Sequence, residues 1–146
     1  MAFVDYNAIR SRFSTAIKTI AGFTESRNPF DDFNRNPNTI AQKRFSVGIG
    51  TVTAIEEQRQ NTSVGILCNT QVLVKFPYRL RPKDQVTDYD NSMDAVQLVI
   101  SKLTTRATPL HSDTQIFFES WEHEITESGE YIITTLQFNV LHQISL

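Results

Sequence analysis

Apolar residues recur along this chain at two spacings: three to four positions apart in two stretches, and two apart in four others. The first spacing predicts amphipathic helices and the second predicts half-buried strands. Both occur in succession between Gln71 and Leu103. Val72, Val74 and Phe76 alternate with Leu73 and Lys75, which places one apolar row on one face of a strand. Pro77 and Pro82 are expected to break the pairing around Tyr78-Arg79-Leu80-Arg81, because proline donates no backbone N–H and the residue before it avoids helix. Asp88-Tyr89-Asp90-Asn91-Ser92 then supplies side chains that accept from free amides, as a helix start requires. Met93, Val96, Val99, Ile100 and Leu103 follow at helical spacing, with Lys102 and Arg106 at the negative end.

Upstream, Asp5 predicts the cap of a helix whose buried stripe is Tyr6, Ile9, Phe13, Ala16, Ile17 and Ile20, with Gly22 as its stop. Arg10, Arg12 and Lys18 lie off that stripe and make the exposed face basic. No period survives from Thr24 to Arg44, where Asn28-Pro29, Asp31-Asp32, Asn34 and Asn36-Pro37-Asn38 favour turns. Phe30 and Phe33 in this long loop suggest either that it tucks onto its own core or that it forms an arm docking on a neighbour. The arm is the favoured expectation.

Phe45, Val47, Ile49, Thr51 and Thr53 alternate and predict a strand over residues 45–56, in which Gly48 and Gly50 signal a bulge or a close backbone approach. A polar turn is expected over 56–62. Val64, Ile66 and Cys68 then lead into one bent strand or two over 63–76. After the second helix, Thr108-Pro109 opens a loop. Residues 114–125 place Ile116, Phe118 and Ser120 on one face and Phe117, Glu119, Trp121 and His123 on the other. Glu127-Ser128-Gly129 turns the chain into residues 130–145, where Ile132, Thr134, Leu136, Phe138, Val140, His142 and Ile144 share a face. The order α–β–β–α–β–β implies a single α+β domain over residues 1–146. Its expected plan is a mostly antiparallel sheet of four to five strands, two helices packed on it, and a long loop after the first helix.

Composition excludes more than it identifies. Of the 146 residues, 40% are hydrophobic and 21% charged, a balance typical of a folded domain. No run approaches the ~20 apolar residues needed to span a bilayer. Met1-Ala2-Phe3-Val4-Asp5 lacks the basic-then-apolar plan of a signal peptide, so synthesis in the cytoplasm is expected. One cysteine, Cys68, rules out an internal disulfide and any multi-cysteine metal site. The net charge of −2 hides an asymmetry: residues 1–83 hold 12 Lys/Arg against 6 Asp/Glu, and residues 84–146 hold 2 against 10. The halves therefore carry +6 and −8.

Candidate chemistry is sparse. Gly48-Ile49-Gly50 lacks the third glycine and following helix of a phosphate loop. His111 with Asp113, or His123 with Glu122 and Glu124, could begin a metal site, but neighbouring strand residues point to opposite faces. The three histidines, His111, His123 and His142, are read as surface or edge residues, and Cys68 as a small buried one. The acids at 119, 122, 124, 127 and 130 read as a solvated hairpin face, and the scattered basic residues form no nucleic-acid-binding pattern. No catalytic, cofactor-binding or metal residue is assigned, and neither a cofactor nor a membrane partner is expected.

The layout nevertheless resembles a known family. An amphipathic helix, a long loop and a strand pair lead to Val72-Leu73-Val74-Lys75-Phe76-Pro77-Tyr78-Arg79 and then to Asp88-Tyr89-Asp90 before the helix Met93–Leu103. This order is similar to phage tail terminators of the minor tail protein U type. Tyr131-Ile132-Ile133-Thr134-Thr135-Leu136-Gln137-Phe138-Asn139-Val140 resembles that family's last strand. The resemblance implies a non-enzymatic virion protein, made in the host cytoplasm, that forms a hexameric ring at the head-proximal end of the tail. There it would stop growth of the tube, contact the major tail tube protein and the head-completion or connector protein, and let DNA pass through its lumen. Phe30 and Phe33 (as an arm), Arg79 and Arg81 (basic half), and Glu119, Glu122 and Glu124 (acidic half) are the candidate interface residues. The acids are candidates either for a seam between subunits or for a lumen wall. The charge asymmetry also has a plain reading as a solubility pattern. Two other functions stay open: a head–tail connector or head-completion adaptor, and a small enzyme or ligand-binding domain with its site in loop 24–44.

Overall fold

The computed structural model describes residues 3–33, 35, 39–55, 65–106 and 110–145. Its elements follow the periodicities. Helix α1 (Tyr6–Lys18) starts where the Asp5 carboxylate accepts from the Ala8 amide at 3.0 Å, and Gly22, at φ +86°, turns the chain after it. Strand β1 (Thr24–Glu25) is short and pairs parallel with β2 (Arg44–Ala54). Strand β3 (Gly65–Arg79), helix α2 (Gln85–Thr104) and the hairpin of β4 (Gln115–Ile125) and β5 (Tyr131–Ser145) complete the chain. The protein is α+β, with two helices packed on a five-strand, mostly antiparallel sheet in the order β1-β2-β3-β5-β4.

Both helices lie on one face. Ile9, Phe13 and Ile17 of α1 and Val96, Val99 and Leu103 of α2 close over Phe45, Val47, Val72, Val74, Phe76, Leu136, Phe138 and Val140. Each of these side chains, once fully buried, contributes roughly 1.5–3 kcal/mol. Phe13 meets Phe138 edge to face at 5.7 Å, and Phe23 meets Phe76 the same way at 5.1 Å.

Several expectations need correction. β3 is one continuous strand that runs through Pro77 to Arg79 and stays paired with β5 up to Arg79↔Tyr131. Proline is tolerated there because β2 ends its pairing with β3 at Ser46↔Lys75, so no strand partner on that side lacks a donor. Helix α2 begins about two turns before Met93, and Asp88 sits inside it. Its carboxylate accepts from the Arg81 amide, Nε and Nη2 at 2.7–3.1 Å rather than capping the helix. The bulge between Phe118 and Ser120 sends Trp121 and His123 to the helix-bearing face, where His123 meets Tyr89 edge to face, and leaves Glu122 and Glu124 on the opposite face. A second bulge, between Ile49 and Val52, likewise moves Val52 and Ala54 rather than Thr51 and Thr53 onto the inner row. The turn at 56–62, Val64 and Thr108-Pro109 lie outside the described residues.

His142 is not at the surface. It is fully buried between α1 and the sheet. The Val4 carbonyl can only accept, so Nδ1 carries the proton and donates to it at 2.7 Å, while Nε2 accepts from the Thr70 hydroxyl at 2.6 Å. Burial outweighs the Val4 hydrogen bond and holds the imidazole below its usual pKa, so the neutral ring is the stable form. Above pH 6.5 the ring is neutral whether the chain is folded or unfolded, and its contribution is fully present. As pH falls through that value only the unfolded chain takes up the proton, and stability drops. Asp88 and Asp31 are held below the usual carboxylate value by Arg81 and Arg35, so their contributions are lost only at lower pH, below about 3.8. Thermal melts of the protein should therefore fall in two steps on acidification, and His142→Gln should flatten the first step while leaving the second.

Candidate interaction surface

The face of the sheet away from the helices is polar at its centre and covered at one end. Lys75, Thr135, Gln137 and Asn139 are half-buried along it, and Glu119, at the β4 bulge, accepts from the Gln137 and Asn139 amides at 2.7 Å each. Glu122 and Glu124 line a shallow recess of ≈ 190 Å³ with Lys75, Ile133 and Thr135. The cover comes from the segment between β1 and β2. Asp31 holds it together by accepting from the Phe33 amide, Ser26 Oγ and Arg35 Nη1. Burial alone would raise the Asp31 pKa, but these hydrogen bonds outweigh it and keep the carboxylate charged.

This folding separates the two phenylalanines. Phe33 is fully buried against Ile40, Tyr131 and Ile133, and the Tyr131 hydroxyl donates to the Ile40 carbonyl at 3.2 Å. It packs on its own chain, so the arm expected from Phe33 is corrected: an apolar patch on the outer face of the β5 end receives it. Phe30 stays 62% exposed, with its ring edge over Gly48. A Cβ on Gly48 would stand 2.6 Å from that ring and 2.8 Å from the Pro29 carbonyl, so glycine is what lets the segment approach.

The charged candidates also part company. Arg81 is tied to Asp88 in a two-pronged pair, with Asp84 nearby, and serves the start of α2. Arg79 is exposed at the end of β3, where its amide donates to Gln42 Oε1 at 2.7 Å. Glu119, Glu122 and Glu124 are exposed together on β4, with Glu127 and Glu130 in the following turn. Opposite them, around β1, β2 and α1, lie Arg10, Lys18, Arg27, Lys43 and Arg44, while Arg35 sits over the Phe33 ring in the covering segment. Arg10 and Lys18 pair with Glu25, and Arg35 with Asp31; Lys43 rests over the Phe23 and Tyr78 rings. Among the described residues, Arg27 and Arg44 are exposed and make no ion pair. Sequence reasoning passed over this pair because only the sheet order shows that they stand at the edge away from β4.

Among the described residues, no three His, Cys, Asp or Glu side chains could hold a metal ion together, and no helix is long and apolar enough to cross a membrane. The chain matches no protein-family model, and no curated protein matches its sequence.

Phe33→Ala should cost about 3–5 kcal/mol of stability, as expected for a fully buried aromatic. Phe30→Ala should stay within about 0.5 kcal/mol of the wild type, as exposed positions usually do. Chemical denaturation of the two variants checks both values, and equal effects would mean that the segment is not held through Phe33.

Proposed function

We propose that this chain is a structural virion protein, which forms a ring on the phage tail tube, stops the tube's elongation and offers a surface for joining the head. The resemblance to tail terminators motivates the reading. The observation that carries it is the distribution of charge, with free basic residues at the β1–β2 edge and free acidic residues along β4 at the opposite edge. A closed ring of identical subunits needs two different surfaces that fit each other, and oppositely charged edges meet that need. A chain whose two edges carried the same charge would resist this arrangement.

The mechanism asks for binding alone. A tube of stacked rings lengthens while each finished ring presents the surface that the next one recognises. A terminator binds that surface and presents another on its far side. Its partners are then its own copies in a homo-hexamer, the major tail tube protein below and the head-completion or connector protein above, with DNA passing through the lumen.

Phage carrying a nonsense mutation in the gene for this protein should fill heads with DNA and make tails that fail to join them, some abnormally long. Purified protein added to tubes of correct length should restore joining. Electron micrographs showing only free tails of normal, finished length beside leaking heads would instead favour a head–tail connector.

A further inference from the structure

The two charged edges match in position as well as in sign. Cross-strand pairing places Val52, Thr70, Val140 and Ile116 on one row of the sheet, and Val47, Val74, Leu136 and Trp121 on another. The next row holds Ser46, Lys75, Thr135 and Glu122. Arg44 stands two residues beyond Ser46 along β2, past the end of its pairing with β3, and Glu124 stands two residues beyond Glu122 along β4, paired with Ile133. Arg44, Glu122 and Glu124 all point to the face away from the helices. Among the described residues no strand flanks the outer side of β2 from Val47 to Ala54, nor the outer side of β4.

We infer that the β4 edge of one copy lies against the β2 edge of the next, with Glu122 and Glu124 meeting Arg44 and Arg27. This inference rests on the ring reading and names its seam. Three pairings in succession are antiparallel, so β4 runs opposite to β2, and side-by-side copies bring the two strands together in the antiparallel sense. An unshifted placement aligns β4 residues 116–121 with the free stretch of β2. It aligns Glu122 and Glu124 with the segment where β1 covers the edge, so side chains make that contact rather than backbone.

The charges also select the geometry. A β4-to-β4 pair would set three glutamates against three more, and a β2-to-β2 pair would bring arginines together. Only the mixed contact is attractive, and a mixed contact repeats around a ring instead of stopping at a dimer. The bulge in each edge twists it away from casual pairing with other strands.

The test uses two charge-reversed variants of the full chain, Glu122→Lys with Glu124→Lys, and Arg27→Glu with Arg44→Glu. All four side chains are exposed, and circular dichroism verifies the fold. Native mass spectrometry should show each variant associating at least about tenfold more weakly than wild type, because like charges then face each other at the seam. An equimolar mixture should assemble again with the two variants in equal numbers, and the chain carrying all four substitutions should assemble alone. Rings of wild-type strength from both variants would overturn this seam and leave the ring reading standing. Open pairs or chains that respond to the reversals and to mixing would support the edge contact and overturn the ring. A wild-type chain that remains monomeric at high concentration would overturn both.

Discussion

Fifteen consecutive residue pairs join β3 to β5, from Gly65↔Ser145 to Arg79↔Tyr131, and the remaining structure depends on this ladder. It brings the inward rows of both strands together, Val72, Val74 and Phe76 beside Leu136, Phe138 and Val140, as one apolar surface. Neither helix could bury its stripe without that surface. The same ladder makes β2 and β4 the outer strands of the antiparallel sheet. The separation of charge follows from it, because the basic half of the sequence supplies one outer strand and the acidic half the other.

The two faces of the sheet meet different demands. The helix-bearing face buries its aromatic rings and also takes in polar side chains, among them His142, whose two ring nitrogens both find partners, and Thr70, one of those partners. The other face carries polar residues such as Lys75, Gln137 and Asn139 at its centre and, among the described residues, buries apolar ones where the segment after β1 lies over Tyr131 and Ile133. That segment is held by a charged residue, Asp31, which gathers donors from Ser26, Phe33 and Arg35. What remains for partners is a surface rich in charge, flanked by two strands with open sides. In the proposed ring, sign and register on such a surface would choose the partner copy.

Much of the architecture was legible from periodicity. The alternation of residues 130–145 identified the inner face of β5 correctly, from Ile132 through Thr134 to His142, because an unbulged strand keeps its period of two throughout. The stripe of α1 and its Asp5 cap were equally readable, since both are local. Gly48 and Gly50 were recognised as points of close approach or bulging. The first lies under Phe30, and the second adjoins the bulge whose Thr51 amide is taken up by Gln71 Oε1 at 3.2 Å.

By itself, then, the sequence determined two helices and four long strands, though not the two-residue β1 or every boundary, along with the α+β class and the unequal charge of its halves, all properties of neighbouring residues. Only the tertiary structure decided which residues share a surface. The bulge at Glu119 adds one residue to β4 and exchanges the faces of everything after it, an effect that the polarity pattern does not carry. Asp88 had the composition of a helix cap, yet it turned to Arg81 because a folded-back connection delivered three donors to it. Phe33 could be told from Phe30 only by the apolar patch that Tyr131 and Ile133 offer about a hundred residues later. Arg27 and Arg44 became candidates only once the strand order put them at the edge opposite Glu122 and Glu124. Each of these outcomes rests on contacts between residues distant in sequence, whose energies are set by register and strand order and not by local pattern.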